Sequence, residues 1–374
     1  MFEFIFDPYN YPFWIFIAAI IIGVLGGISR PFSTYVSFAY PNAKYEAMGN
    51  PFVTDKELNR IVELSDLTGF KDTLNASKDY NLSGESTNEL QQSLDDTLIQ
   101  TIEMMKKEGS KKMKDFFDTY IEKLDIYLIK NTIKNKLEDH KIDENIVEKA
   151  TLSKTKTLLE KLYDSEKQKI PEILREYGFE KDVIDAVSEE TVDFLTLDTI
   201  IDKHIINRFR RVKVPYKCER AKIKFIGTLV DVNSIKNILR AKQLKYDSES
   251  CKKLYLGEGQ QIASWKFKDM TELESVPHVI SSLEGLSYYD SLKNAIEEYN
   301  KENSVQVLEK ALDSHLLKLL EDLSTQNYVT IGPTLRFIVT KEFEIENLKI
   351  IAKGVSEGLK SDLIKPLLIT EIGV

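Results

Sequence analysis

Cysteine is nearly missing from this chain: Cys218 and Cys251 are the two thiols among 374 residues. Two isolated thiols exclude a disulfide framework and a zinc-ligand set, and a reducing, cytosolic setting is the simplest reading. Proline is scarce too. Five of the ten prolines fall in the first 51 positions, and none lies between Pro51 and Pro171. Long proline-free stretches rich in Leu, Ile, Lys and Glu favour helix, because proline removes a backbone donor and clashes with the preceding turn. The chain is therefore expected to be all-α. Net positive charge is absent as well: at −9, the chain lacks the phosphate-neutralising surplus of a general nucleic-acid binder.

Signatures of catalysis are also missing. No Gly-x-x-x-x-Gly-Lys-Ser/Thr phosphate loop occurs, and Gly257-Glu258-Gly259 does not continue into a dinucleotide fingerprint. No His-Glu-x-x-His occurs, and the four histidines, His140, His204, His278 and His315, are scattered. His315 lies near the apolar stripe Leu308, Leu312, Leu316, Leu319 and is expected to be a surface or satisfied buried residue. No catalytic, cofactor-binding or metal-ligating residue is assigned, since a general base or metal site needs convergent partners.

What the chain does have begins at its amino terminus. Positions 8–29 form a 22-residue run without a charged side chain, centred on Phe13, Trp14, Ile20, Ile21 and Leu25. As a helix it would extend roughly 33 Å, about the thickness of a bilayer's hydrocarbon. Tyr9, Tyr11, Phe13 and Trp14 sit at one end, as interfacial aromatics do, and Arg30-Pro31 close the other. A membrane-inserted anchor is the favoured reading, ahead of a cleaved signal peptide or a buried core helix. The first of these alternatives lacks its basic leading region, since Glu3 and Asp7 precede the run. Arg30 and Lys44 place the carboxy-terminal part on the cytoplasmic side. Positions 31–51 read as a turn-rich connection.

A short pattern then occurs three times. An acid begins each copy, at Asp125, Asp231 and Glu344, 106 and 113 residues apart. A lysine follows five positions later and another basic residue four after that: Lys130 and Lys134, Lys236 and Arg240, Lys349 and Lys353. The acids read as first-turn residues that complement a helix dipole. The basic pairs read either as a solvated helix face or as a ring facing a partner. A second pattern, Leu58, Ile61, Val62, Phe70 and Leu74, is matched at one constant offset by Val276, Val279, Ile280, Tyr288 and Leu292, with a loose version near Tyr177–Val183. The spacing implies one hydrophobic segment, 1–32, and three helical units at 33–140, 141–248 and 249–374.

Finer features follow. Thr54 and Glu57 have capping-box spacing. Positions 77–95 are polar and read as a loop, Gly109-Ser110 as a break, and Phe117, Tyr120, Ile121, Leu124 and Leu128 as one apolar stripe. Gly354 and Gly358 are expected to permit close helix approach. Between Lys203 and Lys224 stand nine basic residues and one acid, densest at Arg208, Arg210, Arg211 and Lys213. That cluster is either a partner or lipid contact or a plain solvated face.

Three stretches carry a resemblance: Asp231 to Lys242, Phe343 to Gly358, and Tyr40-Pro41-Asn42-Ala43-Lys44-Tyr45-Glu46-Ala47-Met48. Together they resemble the C subunit of archaeal A-type ATP synthases, related to the d subunit of vacuolar-type ATPases, over about residues 34–374. The family pattern near residue 44 carries arginines where Lys44 and Glu46 stand here. The hydrophobic start lies beyond the family's common core and reads as an addition. The resemblance implies three similar helical domains in a pseudo-threefold funnel, seated on the membrane rotor ring and receiving the foot of the central shaft (D/F-type subunits). It implies a non-catalytic central-stalk subunit that transmits torque for ion-coupled ATP synthesis, at the cell membrane, with lipid met through the first segment. Two other readings are a membrane-anchored helical-repeat adaptor outside any rotary motor and an enzyme with an unrecognised all-α site.

Overall fold

The computed structural model describes residues 11–77 and 79–371. Pro8 and Tyr9, at the start of the uncharged run, lie outside them. Among the described residues every regular element is α or 3₁₀ helix and none is a strand. Seven helices are long: α1 (Tyr11–Met48), α2 (Thr87–Glu108), α3 (Lys114–Leu137), α4 (Phe194–Arg211), α5 (Glu219–Gln243), α6 (Val305–Gln326) and α7 (Gly332–Ser356).

Helices α2 to α7 pack in a closed cycle: α2 on α3, α3 on α4, α4 on α5, α5 on α6, α6 on α7, and α7 back on α2. Aromatic rings fill the cycle near the beginning of α3. Phe116 on α3 lies 5.5 Å from Phe209 on α4 and 6.2 Å from Phe225 on α5, ring centre to ring centre. Such pairs add about 0.5–1.5 kcal/mol each beyond their buried area.

Local chemistry sets the helix ends. Ser86 and Glu89 form a reciprocal capping box that starts α2: the Ser86 oxygen accepts from the Glu89 amide at 3.3 Å, and the Glu89 carboxylate accepts from the Ser86 amide at 3.0 Å. The expected loop over 77–95 therefore ends at Ser86, and Leu90, Leu94 and Leu98 are core residues of α2. The Thr54 box does not form. Thr54 precedes a helix over Asp55–Val62, but its hydroxyl donates to the Pro51 carbonyl instead. Gly109 terminates α2, as the Gly109-Ser110 break implied. Gly354 packs so closely on Ile364 that a Cβ would lie 2.5 Å from its Cδ1, whereas Gly358, at φ +66°, stops α7 rather than allowing helix approach.

The turn-rich connection over 31–51 is corrected more fully. α1 runs unbroken from Tyr11 to Met48 with Pro31 and Pro41 inside it. Each proline forfeits one backbone hydrogen bond, yet docking holds the helix together. Thr34, Phe38, Asn42 and Tyr45 are buried, Tyr45 stacks on Phe337 at 5.0 Å, and the Asn42 amide donates to the Tyr328 and Thr330 carbonyls at 2.8 Å each. Beyond that seat, α1 is exposed. Trp14, Ile20, Ile21 and Leu25 are 41–61% accessible, Phe13 is half-buried against Trp14, and an 18-residue window has a mean hydropathy of 2.2 with none of it buried.

Candidate functional site

The repeated acids are not first-turn residues. Each lies in the middle of a long helix, in α3, α5 and α7, and each is buried at 3% exposure or less. A mid-helix carboxylate cannot serve its own helix's free amides, so it serves a neighbouring loop. Asp125 accepts from the Thr151 and Leu152 amides at 3.0 Å each. Asp231 accepts from the Gln260, Gln261 and Ile262 amides at 2.7–3.0 Å and from the Tyr288 hydroxyl at 3.0 Å. Glu344 accepts from the Phe52 amide at 3.3 Å and pairs with Lys341 at 3.1 Å. In the first two copies the loop lies downstream. In the third it lies near the chain's start, so Glu344 closes the cycle that the other two acids propagate. Asn347 tightens this seam, donating to the Phe52 and Ile369 carbonyls at 2.9 and 2.7 Å.

Burial raises the pKa of Asp231 and of Glu344, opposed by these donors. The Gly257-Glu258-Gly259 run has its explanation here: a Cβ on Gly259 would stand 1.7 Å from Asp231 Oδ1. Only a side chain without a Cβ lets that loop lie on the carboxylate.

The basic pairs also reach the next helix of the cycle. Lys130 and Lys134 bind Asp202 and Asp198 of α4 at 2.5 and 2.6 Å. Lys236 and Arg240 bind Asp313 and Glu309 of α6 at 2.5 Å each. Lys349 binds Asp95 of α2 at 2.8 Å, while Lys353 turns to Glu357 of its own chain segment at 2.7 Å. The acids are four residues apart on their helices, so two adjacent turns of one helix grip two of the next. Both open readings of these residues, solvent face and partner ring, give way to a third: five of the six clamp helix to helix.

Some charges face the middle of the cycle. Lys123 of α3 pairs with Glu342 of α7 at 2.5 Å, and Tyr120 donates to the same carboxylate, although these helices are not neighbours in the cycle. One turn further, Glu346 is surrounded by Glu342, Lys123, Asp313 and Lys236, from α7, α3, α6 and α5. Glu346 is reached by solvent, yet the protein around it raises its pKa to about 7, Glu342 adding to the rise and Lys123 opposing it. The largest cause of the rise is burial among these helices. The position two residues after each acid is exposed in all three copies, as Tyr127, Asn233 and Glu346. The repeat thus presents three different side chains on one kind of surface.

Replacing Glu346 by glutamine tests this electrostatics. With its folded pKa raised from 4.5 to about 7, folding takes up a proton in that window, so stability is lost as pH rises through it. Glu346→Gln is expected to raise stability at pH 8 by about 1 kcal/mol, a figure discounted for solvent contact, and to leave it unchanged at pH 4.5. Thermal melts at the two pH values read the difference.

The dense basic cluster is largely occupied within the protein. Arg208 pairs with Glu122 at 2.9 Å, Arg211 with Glu180 at 3.1 Å, and Arg210 donates to the Glu258 carbonyl at 2.6 Å. Lys213 is exposed and has no carboxylate within 4 Å among the described residues. His315 is buried beside Ser291, at 3.1 Å. Among the described residues no three His, Cys, Asp or Glu side chains are placed to hold a metal ion.

Residues 41–367 match the model of the family described as ATP synthase (C/AC39) subunit. The chain is 29% identical to the C subunit of the A-type ATP synthase of Methanothermobacter thermautotrophicus, over 94% of this chain and 95% of that one. It is 30% identical to the protein of the same name from Methanobrevibacter smithii, over 94% of each. It is 29% identical to that of Methanocaldococcus jannaschii, over 89% of this chain and 86% of the other. The first two alignments leave 6% of 374 residues, about 22, uncovered, fewer than the 32 of the hydrophobic segment. That segment is therefore not wholly an addition: part of it has a counterpart in these relatives.

Proposed function

Since the chain belongs to the ATP synthase (C/AC39) subunit family, a family of rotary ATP synthase subunits, we propose that it is the non-catalytic central-stalk component joining the rotor shaft to the membrane ring. In this reading the units 33–140, 141–248 and 249–374 are three walls of a funnel. The surface around Glu342 and Glu346, where charges of α3, α5, α6 and α7 meet, receives the foot of the shaft. The exposed apolar part of α1 enters the membrane at the ring and holds the funnel coaxial with it. The protein carries rotation between ion flow and nucleotide chemistry performed elsewhere in the complex.

The observation that carries this reading is the closed cycle of helices with its repeated clamps. Torque twists one end of a body against the other. A cycle in which alternate pairs of long helices are clamped by paired charges, while buried acids hold the neighbouring loops, resists that twist without a reactive pocket.

Purification of the native complex through this chain is expected to bring shaft and ring subunits with it; recovery of neither would overturn the reading. Deleting residues 1–32 is expected to abolish retention on rotor-ring membranes while leaving the docked part of α1 and the helix cycle folded. Sedimentation of membranes, with circular dichroism of the released protein, measures both. Unchanged retention together with full solubility of the intact chain would sink the anchor.

A further inference from the structure

Three helix-to-helix turns lie at one end of the cycle, and the docked part of α1 touches all three. Lys44 pairs with Glu108 at the α2–α3 turn at 2.8 Å. Tyr35 accepts from Lys217 in the α4–α5 turn at 3.3 Å. Asn42 and Glu46 engage Tyr328 in the α6–α7 turn at 2.8 Å each. From this end the apolar part of α1 projects.

The same end collects cations that have no carboxylate partner. Lys107, Lys111, Lys112 and Lys114 stand at the α2–α3 turn, and Lys213 and Arg220 at the α4–α5 turn, all exposed. None has a carboxylate within 4 Å among the described residues, whereas most lysines of the helix walls are paired. The acids in these turns are few. Glu108 is taken by Lys44, Glu219 by Lys222 at 2.7 Å, and Asp115 remains. The α6–α7 turn, 326–331, carries no charge but exposes Tyr328 and Val329 at 51% and 57%, and Tyr216 beside Lys217 is 52% exposed.

Local stability does not explain four of these six cations. Lys111, Lys112, Lys114 and Arg220 flank the amino-terminal ends of α3 and α5, where the helix dipole disfavours positive charge, whereas Lys107 and Lys213 stand at the carboxy-terminal ends of α2 and α4, where it favours them. In a chain of net charge −9 these exposed cations form a positive patch suited to an anionic surface from outside. We propose that this turn end is a seat for anionic phospholipid headgroups, pressed against the membrane surface around the point where α1 enters it. The cations meet the lipid phosphates, and Tyr216, Tyr328 and Val329 meet the interface. Basic residues next to a spanning helix bind anionic leaflets in this way, with strong salt dependence. The inference rests on the reading of α1 as membrane-inserted.

The test uses the full chain and flotation with two kinds of vesicle: phosphatidylcholine alone, and phosphatidylcholine with about 30% phosphatidylglycerol, in the range of natural anionic content. The variant is Lys111→Glu, Lys112→Glu, Lys213→Glu and Arg220→Glu together, with helicity and melting temperature as folding controls. The unaltered protein is expected to partition about tenfold more strongly into the anionic vesicles, a preference lost in high salt and lost in the variant, while binding to neutral vesicles stays equal. An anionic preference that is absent, or that survives in the variant, overturns the proposal. So does a variant that keeps the preference but leaves rotor-ring membranes, which would assign the cations to an acidic protein surface. Failure of the underlying anchor reads out separately, as no binding of either protein to neutral vesicles.

Discussion

Asp231→Ala is expected to destabilise the protein by about 3–5 kcal/mol, measured by urea unfolding at neutral pH. The residue is fully buried, and its carboxylate is the acceptor for three consecutive backbone amides and one tyrosine hydroxyl. Alanine takes this acceptor from the Gln261 and Ile262 amides and the Tyr288 hydroxyl in a site sealed by Gly259, while the Gln260 amide keeps the Gly227 carbonyl at 3.2 Å. Each unmet buried donor costs about 1–3 kcal/mol, and entry of water returns part of that sum. Asp231→Asn keeps the shape and one acceptor oxygen, so it should lose clearly less. A loss below about 1 kcal/mol for alanine would mean that the loop finds other partners and that the acid does not pin it.

Lys341→Met is the second large effect, again about 3–5 kcal/mol at pH 8, and its signature is pH dependence. Lys341 and Glu344 are buried to 2% and 0%, and the ammonium also donates to Tyr80 at 2.9 Å while lying 4.3 Å from that ring's centre. Methionine fills the volume but removes the cation, and Glu344 is left charged in the core. Burial already raises the Glu344 pKa, and losing Lys341, which opposes that rise, takes it higher. A group whose folded pKa lies above its unfolded value stabilises less as pH rises through the folded pKa. The deficit of Lys341→Met should therefore shrink between pH 8 and pH 5.5. Adding Glu344→Gln should recover part of it at pH 8, because the buried charge then disappears from both sides of the pair. Urea unfolding of the two variants at both pH values gives the comparison; a deficit independent of pH would place the cost in packing instead.

The sequence carried the repeat but not its meaning. The spacing of Asp125, Asp231 and Glu344 was legible because helices of equal role recur at domain length. Their partners were not, because those are main-chain amides 26 to 31 residues downstream in two copies and 292 residues upstream in the third. Backbone donors have no residue code. The basic pairs were closer to readable: Asp198 with Asp202 and Glu309 with Asp313 have the matching four-residue step, a signal that lies in the partner helices and outside the repeat itself. The unbroken course of α1 through Pro31 and Pro41 was hidden for a different reason. Local proline chemistry favours a break there, and tertiary docking of Asn42 and Tyr45 overrides it. The basic cluster near residue 210 looked like one surface but divides among Glu122, Glu180 and the Glu258 carbonyl, since three side chains close in sequence point around a helix.

The seat of α1 also sets an order of events in time. Asn42 and Tyr45 dock on Tyr328, Thr330 and Phe337, some 290 residues later in the chain. At about 5–20 residues per second, a ribosome needs roughly 15–60 s to travel between them. The apolar helix is thus born long before the surface that will hold it, and the Glu344 to Phe52 seam is also among the last contacts possible. During that interval the exposed helix has only chaperones or a membrane for cover. The apolar helix is made first, and the body is then wound and sealed onto its docked end.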